Sequence, residues 1–124
     1  MKTSLVIFSF LFFNDNCFAQ KEKHCDVMLL TPNTTPVHCG VIAFCEKMKF
    51  KIINKSNRQT DTVIFFVCCP ADFGHDFWIV NRTYHISFQE DLSPALAFGS
   101  VVDNLSERDR KYKVKGVIST AKKY

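Results

Sequence analysis

The chain has 124 residues, with 16 lysines and arginines against 12 acidic residues, a formal net charge of +4, and 47% apolar side chains. That balance excludes a disordered chain, which would lack the apolar residues to build a core, and so mild a charge names no partner by itself. Six cysteines in so short a chain point to covalent staples.

The first residues carry the three parts of an export signal: a cation at Lys2, an apolar run from Leu5 to Phe13, and a polar stretch closing in Cys17-Phe18-Ala19. A membrane-spanning helix would need about 20 apolar residues, and Asn14, Asp15 and Asn16 end this run far sooner. Cleavage is expected after Ala19, leaving a signal peptide at 1–19 and one β-rich domain at 20–124, secreted or periplasmic and without a transmembrane segment. Residues 20–40 include Thr31-Pro32-Asn33-Thr34-Thr35-Pro36 and are expected to form an extended arm, because proline lacks the N–H that a helix or central strand needs.

From Val41 to Asn54 the pattern alternates, with Phe44, Met48, Phe50 and Ile52 on one parity and Lys47, Lys49 and Lys51 on the other. This predicts a long half-buried strand with a basic outer face. Thr62 to Cys69 is apolar on both parities, as in a strand covered on both faces, and Pro70 ends it. Phe77–Val80 and Thr83–Phe88 are β-prone runs flanking Asn81-Arg82, where asparagine tolerates the left-handed backbone of a turn. Ser93-Pro94 has the signature of a helix start, and Ser106 to Asp109 reads as a helical turn or loop. Tyr112, Val114 and Ile118 alternate with Lys111, Lys113 and Lys115 in a final strand. The expected fold class is all-β: a small barrel of about five strands, or alternatively a small β-sandwich, with one short helix placed between Ser93 and Arg110.

Cleavage would leave Cys25, Cys39, Cys45, Cys68 and Cys69, an odd number, as disulfide candidates with one thiol left over. Neighbouring strand residues point to opposite faces, so Cys68 and Cys69 should differ in fate, one toward the core and one outward. Cys69 is the better placed to reach the arm, through Cys25 or Cys39, and the Cys25–Cys69 pair is the one expected. His24-Cys25 and His38-Cys39 repeat a dipeptide of two metal ligands, with His75 and His85 elsewhere. No spacing presents two ligands from one turn, so neither a metal nor any other cofactor is expected. Adjacent Cys68-Cys69 lacks the two-residue spacer of thiol oxidoreductases.

The order of these features resembles that of netrin-like domains, the secreted OB-type barrels that include the tissue inhibitors of metalloproteinases. The resemblance rests on Cys25 after the signal, Ala43-Phe44-Cys45 by the first long strand, the apolar strand ending in Cys69, and the run Phe77 to Ile86 with Asn81 and Tyr84-His85-Ile86. It spans Cys25 to Phe88 and implies an OB-like barrel. In the inhibitors an N-terminal cysteine chelates the protease zinc. Cleavage after Ala19 would expose Gln20 and leave Cys25 inside the chain, so that mechanism does not carry over.

The rows Lys47, Lys49, Lys51 and Lys111, Lys113, Lys115 would merge into one basic patch if their strands lay side by side, a surface for an anionic glycan or lipid head group. A solvated face guarded against edge pairing is the plainer account. Nucleic acid fits least, since no aromatics are interleaved among the lysines. His75-Asp76 beside Trp78 offers a base without a nucleophile, so no enzyme is expected. N-x-S/T sequons begin at Asn33, Asn54, Asn81 and Asn104. The sequence thus points to a secreted, non-enzymatic binding or interaction domain. The alternative is a thiol-redox or metal-binding protein using Cys68, Cys69 and the His-Cys dipeptides.

Overall fold

A computed structural model describes residues 22–34, 39, 43–53, 60–97 and 100–124. The expected signal peptide and its cleavage site, His38 and the sequon at Asn54 lie outside these residues. Six strands follow in order: β1 Lys23–Leu29, β2 Cys45–Ile53, β3 Thr60–Cys68, β4 Thr83–Gln89, β5 Val101–Val102 and β6 Val114–Lys123. β1 pairs antiparallel with both β2 and β4, β2 antiparallel with β3, β3 parallel with β6, and β6 antiparallel with β4. The circuit β1-β2-β3-β6-β4 therefore returns to β1, a closed five-stranded barrel. Two-residue β5 runs parallel to the start of β2, at Cys45 and Glu46.

Alternation decides which side chains fill the barrel. Val27 and Leu29 of β1, Met48 and Phe50 of β2, Val63, Phe65 and Val67 of β3, Tyr84, Ile86 and Phe88 of β4 and Ile118 of β6 make one interior cluster. The opposite parity of β3 is buried as well: Phe66 packs outside the barrel with Cys45 and Ala95, under Leu92, Val114 and Val117. Both-sided burial of β3 follows from the β4–β6 connection, whose short helix α1 (Ser93–Leu96) lies over this outer face. The expected helix is thus present, and the chain from Ser106 ends in a 3-10 turn at Asp109–Lys111.

Two expected elements are corrected. Residues 20–40 are not wholly an arm, because Lys23–Leu29 is a barrel strand bonded on both sides; the prolines that argued against a strand begin only at Pro32. Phe77–Val80 is not a strand but a turn, held by the Tyr84 hydroxyl, which donates to Phe77 O at 2.6 Å and accepts from Ile79 N at 2.7 Å. The turn seats Trp78 against Phe50, Phe73, Phe77 and Tyr84, an aromatic plug on the interior cluster. Asn81 has φ 68°, the left-handed backbone that favours asparagine at a turn.

At Gly116 β6 passes so close to β4 that a Cβ would lie 2.3 Å from Gln89 O and 2.9 Å from Phe88 Cδ2. Only glycine permits that approach, which sits beside the irregularity in the β3–β6 register.

Two disulfides staple the barrel. Cys45–Cys68 joins residues directly opposite in the β2–β3 register, and Cys39–Cys69 ties down the β1–β2 connection. The expected Cys25–Cys69 pair is therefore wrong. Cys25 sits where β2 ends and β3 begins, whereas Cys69 follows the opposite end of β3. Cys68 and Cys69 do diverge, but neither joins the interior cluster: Cys68 packs with the outer one, and Cys69 turns out of the strand at φ 51°.

Candidate binding cleft beside strand β2

Glu46 breaks the pattern of its own strand. It shares the parity of Met48 and Phe50, so β2 carries a carboxylate toward the side that otherwise faces the apolar interior, and it is only 1% exposed. Burying a carboxylate costs several kcal/mol unless hydrogen bonds replace its water. One oxygen is served: Oε1 accepts from the Thr34 amide at 3.1 Å and from the Thr34 hydroxyl, which itself accepts from the Asn104 side-chain amide. The other, Oε2, is buried without a hydrogen-bond partner among the described residues.

The setting follows from how the β2 edge is shared. β1 covers that edge from Phe50 to Ile53, after which Leu30 N donates to Lys49 O and Lys49 N donates to the Thr31 hydroxyl. Beyond them the β1–β2 connection brings Thr34 to Glu46, and β5 takes the far end. Between these segments lies a cleft of about 250 Å³, lined by Thr31, Pro32 and Thr34 on one side, Glu46 and Lys47 at β2, and Asn104 to Ser106 with Asp109 on the other. The Cys39–Cys69 bridge anchors the first wall and the Asp103 carboxylate, accepting from Leu105 N, shapes the second.

The condition for the two lysine rows to merge, that their strands lie side by side, is not met. β3 stands between β2 and β6, Lys111 lies in the 3-10 turn before β6, and the outward residues Ile64 and Phe66 of β3 are covered. Lys47 pairs with Asp103 at 3.3 Å and lies over the Phe66 ring, and Lys49 pairs with Asp109 at 2.9 Å. These pairs are only partly exposed, and the Lys49 ammonium holds the Asp109 carboxyl below the usual carboxylate range. Lys51 makes no ion pair among the described residues, Lys111 lies over the Tyr112 ring, Lys113 is exposed and Lys115 half-buried.

The structure places the cysteines and histidines of the alternative reading at separate points of the barrel. Cys68 and Cys69 are both in disulfides, with Cys45 and Cys39 respectively. Cys25 is the free cysteine among the described residues, and burial, reinforced by Asp26 and opposed by Lys115, pushes its thiol up to about 11. His24 and Cys25 point to opposite faces of β1, so that dipeptide cannot chelate from one side. Cys39, Cys69 and Asp72 lie within ligand distance of one another, but the two sulfurs are spent on each other. His75 Nε2 lies 3.1 Å from Asp76 Oδ2 on an exposed loop. Both residues line a cavity of about 180 Å³ together with Asn33, Ala71, Gly74, Phe77 and Trp78. No helix among the described residues is long and apolar enough to cross a membrane.

Glu46 was missed by the sequence reading, although an acid placed among Phe44, Met48 and Phe50 on the apolar parity is a visible signal. No protein-family model, no curated protein and no solved structure matches this chain.

Proposed function

We propose that this chain is a non-enzymatic binding module of the OB-type barrel class, working in an oxidising extracytoplasmic compartment. It takes its ligand in the cleft at β2. The observation that carries the reading is the buried Glu46 carboxylate, whose Oε2 lacks a hydrogen-bond partner among the described residues, at a cleft framed by two connections. Oε2 is shielded from solvent, so a ligand reaches it only by displacing part of the cleft wall. One that then donates a hydrogen bond to it removes an unpaired-acceptor cost of about 1–3 kcal/mol, more for a charged group. The fitting class is a hydroxyl-rich or amino-bearing molecule. Its other donors and acceptors would meet Thr31, Asn104 and Ser106.

Two further observations support the reading. The order β1-β2-β3-β6-β4, with one parallel contact between the third and last barrel strands, agrees with the OB-like architecture implied by the netrin-like resemblance. OB-type barrels bind through the second and third strands and the connections flanking them, and the cleft uses β2 with the β1–β2 and β4–β6 connections but no residue of β3. The two disulfides support an oxidising compartment. An anionic glycan or lipid head group fits less well, because Lys47 and Lys49 are already paired.

The test is amide chemical-shift mapping during a screen of polyhydroxylated and amino-bearing fragments. Shifts confined to Thr31, Thr34, Glu46, Lys47 and residues 104–109 support the cleft. Binding that maps to the Trp78 cavity, or that persists in E46Q, overturns it.

A further inference from the structure

The outer face of β1 and β4 carries a cluster that the cleft does not use. Asp26 pairs with His85 in the β1–β4 register and His24 with Ser87, so His24 and His85 are diagonal neighbours on one face. Their rings stack with centroids 5.8 Å apart and planes within 12°. Asp26 Oδ1 lies 2.8 Å from His85 Nδ1 and also accepts from the Tyr124 hydroxyl at 2.9 Å.

A carboxylate on one ring nitrogen places the proton there and leaves the other nitrogen with its lone pair outward. That is the bracing found behind metal-bound histidines. From this geometry we propose that His24 and His85 form a two-imidazole site for a late first-row divalent ion such as Zn²⁺ or Ni²⁺, with Asp26 as the positioning residue for His85. This is independent of the β2 cleft.

Metal–nitrogen bonds of about 2.0–2.1 Å at tetrahedral angles put the two bound nitrogens about 3.3 Å apart. Closing to that distance requires the His24 ring to turn edge-on from its stacked position. His24 is exposed and its ring makes no hydrogen bond among the described residues, so the turn breaks only the stacking. Water fills the remaining coordination positions. The adverse charge is Lys122, opposite His85 in the β4–β6 register, whose exposed side chain can swing away.

The experiment is isothermal titration of the tag-free, disulfide-intact protein with Zn²⁺ and Ni²⁺ in a non-coordinating buffer. One ion per chain is expected, with loss of at least tenfold in affinity for both H24A and H85A, a loss of about 10–100-fold for D26N, and no change for the exposed H75A. The H85A arm separates this site from chelation by His24 without His85. Absence of binding by the folded wild type, or binding unchanged in H85A, overturns the proposal, and circular dichroism of each variant checks that the barrel is retained.

Discussion

Replacing Cys39 and Cys69 together by serine tests how the cleft wall is held. Taken alone, a bridge with sequence separation 30 removes about 3.6 kcal/mol of loop-closure entropy from the unfolded chain. Here, however, the Cys45–Cys68 bridge is nested inside it. With that inner bridge intact, the loop closed by Cys39–Cys69 shrinks to about seven residues, the short stretches from Cys39 to Cys45 and from Cys68 to Cys69. The same relation then gives about 2.4 kcal/mol. Trp78 is the only tryptophan and is buried, so its fluorescence reports urea unfolding directly. With an m-value of about 1.5 kcal/mol/M, the midpoint should fall by about 1.6 M. A loss near 3.6 kcal/mol would refute the nesting, and a loss below about 1 kcal/mol would refute the claim that the bridge pins the connection carrying Thr31 and Thr34.

Gly116→Ala should destabilise the barrel by about 1–3 kcal/mol or more, because its Cβ would strike backbone at 2.3 Å; a wild-type melting temperature would show that β6 can move away. Cys25 has its folded pKa raised from 9.0 to about 11, so the stability gained by keeping the thiol neutral is full below pH 9.0 and is lost as pH rises toward 11. C25S should flatten that decline, and at pH 8 iodoacetamide should alkylate native Cys25 about 100-fold more slowly than the unfolded chain; equal rates would contradict the burial argument. On heparin, K51S/K113S should reduce retention more than K47S/K49S, since the latter lysines are already neutralised by Asp103 and Asp109; the reverse order would show that those pairs open.

Much of the barrel is legible because strand periodicity is a local property. The β2 parities, the doubly buried β3 and the alternation of Tyr84, Ile86 and Phe88 all appear in the sequence as they do in the fold. What depends on distant pairing is not legible. Phe77–Val80 has β-prone residues, yet the Tyr84 hydroxyl bonds Phe77 O and Ile79 N and draws the segment into a turn. β1 alternates His24, Asp26 and Met28 outward with Cys25, Val27 and Leu29 inward, and its two strand neighbours are not identified by the sequence. The same missing register hid the His24–His85 pair, and sequence distance alone could not show that Cys25 lies at the wrong end of the barrel for Cys69.

The cleft follows the same division. Lys47 and Lys49 were visible as an outward row, but their partners Asp103 and Asp109 come from the connection that crosses over β2 and β3. Glu46 was visible only as an exception to a pattern. Its burial and its unpartnered oxygen depend on Thr34 and on the closure of the barrel around it.

The central claim is that Glu46 is the anchor of a ligand cleft, and the most direct measurement compares calorimetric affinities of wild type and E46Q for the strongest amino-bearing fragment. A hydrogen bond to a charged acceptor contributes about 1.5–3 kcal/mol, so the account predicts at least a tenfold loss in E46Q with the fold intact. Equal affinity in the two proteins would contradict it.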